Sequence, residues 1–276
     1  MPQASNVLMC PPRFYGIEYE INPWMNRARG VIVEHATRQW ENLRQLIIEC
    51  GGHVELADPV ESLPDMVFTA NAALIYRKIA ILSQFRHRQR QGEETHWRKT
   101  LTGLGYRIEW PPEANAFEGA GDALFCGDSL YAGYRIRSDA SGHQGIAEAL
   151  GIGVTPLELV DDYFYHLDTC FCPLSATEAL YYPGAFDDYG RKVLRQSIPH
   201  LIEVEAEEAR QFACNAVVLE RNVITSIGCS HLHAKLSARG WVPHATDLGE
   251  FIKAGGSAKC LTLRLDGEEA AGWKTD

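Results

Sequence analysis

The sequence has no run of about 18 consecutive apolar residues, so it offers no segment suited to cross a bilayer as a helix. Its start, Met1-Pro2-Gln3-Ala4-Ser5, lacks the basic and apolar stretch of a secretory leader. Basic residues are in deficit. Lys and Arg number 26 against 36 Asp and Glu, a formal net charge of −10. A surface of that sign repels phosphate and argues against nucleic acid as a partner. The 8 cysteines contain no CxxC pair and are scattered from Cys10 to Cys260. A chain of 276 residues buries enough surface to need no disulfide framework. Scattered thiols therefore read as free and mostly buried, as in a reducing cytoplasm. No low-complexity or Pro/Ser-rich linker divides the chain, so a single domain over residues 1–276 is expected.

What is present is a repeat. Helix candidates begin near positions 35, 92, 142, 188 and 231. The first, His35 to Cys50, sets Trp40, Leu43, Leu46 and Ile47 at helical spacing and ends at Gly51-Gly52. The second, Glu93 to Leu104, carries Trp97, Leu101 and Leu104. Between helices lie apolar strand pairs with turn residues at their centre, such as Ala73–Tyr76 with Ile79–Gln84 and Ala123–Cys126 with Leu130–Gly133. One polar or reactive residue recurs at an expected strand edge: Asn71, Asp122, Asp168, Asn215 and Cys260. Their intervals are roughly 45 to 51 residues. A unit of that size cannot bury its own sheet, so neighbours must pack around a common axis. The expectation is an α/β propeller with helices outside and polar strand ends converging inward.

Four segments could carry chemistry. Phe117-Glu118-Gly119-Ala120-Gly121-Asp122 flanks a tight glycine turn with two carboxylates, though alone it reads more readily as a surface turn with solvated acids. In Tyr165-His166-Leu167-Asp168-Thr169, a strand would place His166 and Asp168 on one face, the disposition of a general acid/base pair. Gly255-Gly256-Ser257-Ala258-Lys259-Cys260 leads into alternating Leu261-Thr262-Leu263-Arg264. Cys260 at a strand start, near Lys259 and a His, could act as a thiolate; alone it reads as a buried structural cysteine. Leu63-Pro64-Asp65-Met66-Val67-Phe68-Thr69-Ala70-Asn71 delivers Asp65 and Asn71. Metal is the rival use of such residues. Cys229, His231 and His233 stand at i, i+2 and i+4, which do not share one helix face.

Together these segments resemble the guanidino-group-modifying, or pentein, superfamily of arginine deiminases, dimethylargininases and amidinotransferases. FEGAGDAL, HLDT and GGSAKC occur in that order, and the resemblance runs from Met9-Cys10-Pro11-Pro12 to Arg264. It implies a five-bladed ββαβ pseudo-symmetric propeller of the α/β class. Cys260 then resembles the nucleophile, His166 the general acid/base, and Glu118 and Asp168 the carboxylates that grip a guanidinium. Arg90 and Arg137 resemble binders of the substrate carboxylate, with Arg135 as the alternative to Arg137. The phrase FTANA, with MCPP and Glu20-Ile21-Asn22-Pro23-Trp24-Met25, resembles the arginine dihydrolase branch most. That branch forms ornithine, carbon dioxide and two ammonia from arginine, and Asn22 and Asn71 match the amides tied to that outcome. Asp65, Asp122 and Asn215 complete the expected substrate contacts. The resemblance implies no cofactor and no metal, a cationic small-molecule substrate, and a cytoplasmic enzyme that could form a homo-oligomer. Citrulline-releasing hydrolases, amidinotransferases and a non-enzymatic propeller remain the alternatives. Some members of the branch carry a further C-terminal module, whereas this chain ends soon after its last expected strand.

Overall fold

A computed structural model describes residues 5–111 and 115–267. The leader reading at residues 1–4 and the chain end at Asp276 lie outside the described residues. β1 (Asn6–Met9) pairs in parallel with β2 (His53–Leu56), and the helix Val33–Glu49 joins them. β3 (Ala73–Tyr76) folds back antiparallel on β4 (Ile79–Leu82), and the helix Glu93–Gly103 crosses to β5 (Arg107–Glu109), parallel to β4. The same order recurs in β6 (Ala123–Cys126), β7 (Ser129–Tyr134), the helix Ala140–Leu150 and β8 (Val154–Glu158). It recurs again in β9 (Phe171–Pro173), β10 (Glu178–Tyr181), the helix Asp188–Ser197 and β11 (His200–Glu203). The last full unit is β12 (Val217–Leu219), β13 (Asn222–Ser226), the helix Ser230–Ser237 and β14 (Val242–Thr246). β15 (Leu263–Arg264) then pairs antiparallel with β1, Val7 opposite Arg264. The first sheet therefore has the order β15-β1-β2 and joins the two ends of the described chain. Among the described residues this makes five three-stranded sheets of one ββαβ plan, the five-bladed architecture expected above.

The element positions follow from burial. The helix Val33–Glu49 buries Ala36, Trp40, Leu43 and Ile47, one apolar stripe at helical spacing. β6, at the inner end of its sheet, buries all four residues of Ala123–Cys126. Gly151 ends the helix Ala140–Leu150 in the left-handed region at φ 67°, which a glycine adopts without penalty. The strand expected to reach Gln84 stops at Leu82, and Gln84 instead bridges Phe117 of the next unit.

The polar residues do not sit on strand edges as expected. Asn71 lies in a 3-10 turn Thr69–Asn71, Asp122 follows the turn Gly119–Gly121, and Asp168 lies in Leu167–Thr169. Cys260 lies in a turn before β15 rather than at a strand start. Each of these four turns lies just before a strand, β3, β6, β9 or β15. Among the described residues no helix is long and apolar enough to cross a membrane.

Candidate active site

Asn22, Met25, Asp65, Phe68, Asn71, Arg90, Arg137, Tyr165, Ala254 and Cys260 line one cavity. Cys260 stands at its wall and is 2% exposed. The Asn215 amide holds it from two sides. Asn215 Nδ2 donates to Cys260 Sγ at 3.1 Å, and Asn215 Oδ1 accepts from Cys260 N at 3.1 Å. The thiol donates to the Asp168 carboxylate at 3.6 Å. Burial pushes the Cys260 thiol well above its usual range, and Asp168 pushes it further; the Asn215 amide opposes this. Lys259 lines a separate apolar cavity with Leu124, Phe171 and Val218. The resting group is therefore a thiol. A cation seated beside it would favour the thiolate.

His166 and Asp168 do not share a strand face. His166 is the extended residue preceding the turn that contains Asp168. His166 Nε2 lies 2.7 Å from Glu118 Oε2. Burial would raise the Glu118 carboxyl, but Arg137, His166 and Arg90 outweigh it and hold it well below the usual carboxylate range. An ionised carboxylate can only accept, so His166 Nε2 carries a proton. Arg137 Nη1 also donates to Glu118 Oε2, at 2.9 Å, and Arg137 Nη2 donates to the carbonyl of Ile21 at 3.0 Å. Tyr165 stacks beneath this guanidinium, 4.6 Å from Cζ, and its hydroxyl donates to Gly255 O.

The backbone sets the two arginines apart. Arg135 turns out at φ 95° toward Glu158 and is half exposed, whereas Arg137 is buried in the site. Arg90 is equally buried. Its Nε and Nη2 engage both oxygens of Glu93 at 2.7 and 2.9 Å, and its Nη1 donates to Asn71 Oδ1 at 2.8 Å. Asp65 keeps one buried carboxylate oxygen, Oδ1, without a hydrogen bond, and burial raises its carboxyl although Arg90 opposes this.

Asp122 and Asn215, expected to touch substrate, are not among the residues that line the cavity, and neither are Glu118, His166 and Asp168. Asp122 does not line the cavity; it lies behind His166, accepting from Ser138 Oγ at 2.6 Å and Leu167 N at 3.0 Å. Asn215 grips the thiol rather than lining the cavity. Asn22 lines the cavity, but its side chain is tied to Ala254 O and to the amides of Trp24 and Met25. The metal alternative does not converge, since His231 meets Glu205 and His233 meets Thr225. Sequence reasoning missed Glu93, Ser138, Phe68 and Tyr165 as site residues. Tyr165 adjoins His166 and could have been flagged; Glu93 reads as an ordinary helix start.

The sequence profile of eukaryotic N,N-dimethylarginine dimethylhydrolases matches residues 19–265. The bifunctional arginine dihydrolase/ornithine cyclodeaminase ArgZ of Synechocystis sp. is 46% identical over 96% of this chain, which spans 38% of that relative's length. The N(G),N(G)-dimethylarginine dimethylaminohydrolase of Mycobacterium tuberculosis is 39% identical over 96% of this chain and 87% of the relative. The crystal structure of the N-terminal domain of ArgZ, a cysteine-to-serine variant bound to substrate, superposes with a TM-score of 0.92 at 46% identity, covering 95% of this chain and 98% of that one. Fold, motif order and these matches agree that the chain belongs to the dimethylarginine dimethylhydrolase family of the guanidino-group-modifying superfamily.

Proposed function

We propose that the protein is an arginine dihydrolase and that its described residues act as one catalytic domain. One observation carries the reading. Four buried carboxyl groups, Asp65, Glu93, Glu118 and Asp168, line a cavity or bond to its lining residues, which include two buried arginines, Arg90 and Arg137. A site so rich in buried carboxylates is completed by a cation, and a guanidinium is planar and rich in donors. The free oxygen of Asp65 and the carboxylate of Asp168 are placed to receive one. Arg137 and Arg90 meet the carboxylate at the other end of the substrate.

Cys260 passes its proton to His166 as the guanidinium arrives and attacks the central carbon. His166 delivers a proton to the departing nitrogen, and the first ammonia leaves. A thiouronium adduct on Cys260 results. Water, deprotonated by His166, adds to the carbon and the thiolate leaves, giving a ureido group. A second attack on that carbon expels a second ammonia and leaves a thiocarbamate. Water releases a carbamate, which breaks down to ornithine and carbon dioxide. Arginine and two waters thus give ornithine, carbon dioxide and two ammonia. Relatives support the branch: a structure of ArgZ is described as an asparagine-to-serine variant covalently bound to a reaction intermediate.

The competing substrate class is dimethylarginine, the substrate named for the 39% identical relative. Competition of the two substrates tests the choice. L-arginine is expected to be turned over with kcat/KM at least about tenfold above that for N,N-dimethylarginine, a discrimination within reach of pocket contacts. A preference for the methylated substrate would contradict the proposal. Cys260→Ser is expected to abolish turnover of both.

A further inference from the structure

We propose that Glu93, acting through Arg90, is a positioning residue that sets the polarity of the Asn71 amide. The pair keeps the Asn71 NH2 group toward the substrate, so that the site takes up the oxygen of a ureido group. The inference rests on the dihydrolase reading for its consequence in turnover.

The orientation of an amide is usually a matter of choice, because its oxygen and nitrogen look alike. Here its neighbours decide it. Arg90 Nη1 can only donate, and it lies 2.8 Å from one end of the Asn71 side chain, which must be Oδ1. The carbonyl of Glu118 can only accept, and it lies 3.4 Å from the other end, which must be Nδ2. The acceptor of Asn71 is therefore spent on Arg90. What Asn71 can offer the cavity it lines is an N–H donor. A guanidinium presents only N–H groups and gains nothing from a donor. A ureido oxygen gains a hydrogen bond.

This arrangement depends on where Arg90 is held. Glu93 grips it in a two-point fork through Nε and Nη2, leaving Nη1 for Asn71. Glu93 is wholly buried and is fixed in turn by Trp97, whose Nε1 donates to Glu93 Oε2 at 3.1 Å. Arg90 Nη2 also meets the carbonyl of Asp65 at 3.2 Å. The fork therefore fixes the guanidinium plane, and the plane fixes the amide. Without the fork, Arg90 can turn away and the amide can rotate to show its oxygen, a polarity that suits a guanidinium instead.

The test has two arms, both on the full chain. In a Cys260→Ser background, binding of L-citrulline and of L-arginine is measured by calorimetry with and without Glu93→Gln. Glu93→Gln is expected to weaken citrulline at least about fivefold more than arginine, the scale of one hydrogen bond. Equal weakening of both ligands, or of neither, would overturn the inference. In the Cys260 enzyme, Glu93→Gln is expected to release free citrulline and to lower the ornithine-to-citrulline ratio at least about tenfold. An unchanged ratio at reduced rate would mark Glu93 as merely structural and overturn the inference too. If Glu93→Gln does not fold, Glu93→Asp, which keeps the charge and shortens the reach, is expected to shift the same two ratios in the same direction. A parent enzyme that made only citrulline would sink the dihydrolase reading, and the binding arm would still decide this inference.

Discussion

Two carboxyl groups near His166 are pushed in opposite directions by their surroundings. Glu118 is held ionised by Arg137, His166 and Arg90 against the cost of burial. Asp122, one turn away, has no arginine at hand. Burial raises it from 3.8 to about 6, with His166 and the Ser138 hydroxyl opposing only in part. A carboxyl raised in the fold binds its proton more tightly there than in the unfolded chain. Its contribution to stability is full below the unfolded value and is lost as pH rises through about 6. The stability of the parent relative to Asp122→Asn is therefore expected to fall between pH 4 and pH 7, by on the order of 1–3 kcal/mol. Urea titrations across that range check this, and a pH-independent difference would contradict it. At this scale the sequence was informative about which residues matter and poor about what they touch. Cys260 and His166 stood out through their motifs. The grip of Asn215 on the thiol, the fork of Glu93 on Arg90 and the outward turn of Arg135 depend on contacts between blades or on one backbone angle, and no spacing encodes those.

The element that does most for the site is the single 3-10 turn. Gly119–Gly121 shows its two uses of glycine. Gly119 takes φ 60°, and a Cβ there would lie 2.9 Å from the Ala73 backbone. Gly121 instead makes room for a side chain: a Cβ there would lie 2.1 Å from Asn71 Nδ2. The two alanine variants should therefore fail differently. Gly119→Ala is expected to cost stability, about 1–3 kcal/mol from backbone strain and overpacking, seen as a lower melting temperature. Gly121→Ala is expected to fold, displace the Asn71 amide and lose ornithine formation disproportionately to arginine consumption. Equal loss of stability in both would contradict this division. These turns were read from sequence as strand edges. The apolar strands Ala73–Tyr76 and Ala123–Cys126 that follow were placed correctly, but a three-residue turn has no period of its own to read.

At the scale of the whole molecule, the propeller is closed by its shortest strand. β15 contributes two residues, yet it links sheets as well as strands. Arg264 Nη1 donates to Val218 O at 2.9 Å in the neighbouring sheet, Nη2 donates to Ser5 Oγ at 2.8 Å, and the same guanidinium pairs with Asp266 at 2.7 Å. Leu265 N donates to Asn6 O at 2.7 Å. Arg264→Ala is thus expected to destabilise the chain by about 2–5 kcal/mol, as a buried, multiply bonded charge partner is lost. Chemical denaturation checks it, and a change under about 0.5 kcal/mol, the range of an unconnected surface site, would contradict it. The fivefold interval of polar residues predicted this architecture from sequence. That the first sheet would pair Val7 with Arg264, from opposite ends of the described chain, was not visible in any local pattern.

The whole molecule also sets the outcome of the chemistry. On the proposed dihydrolase reading, Cys260 and His166 serve two successive attacks in one cavity, with the neutral intermediate held between them. The most direct measurement is the product balance with L-arginine as sole substrate, quantifying ammonia, ornithine, citrulline and urea in one reaction. Two ammonia for each ornithine, with no free citrulline and no urea, is the expected result. One ammonia for each citrulline, with no ornithine, would contradict it.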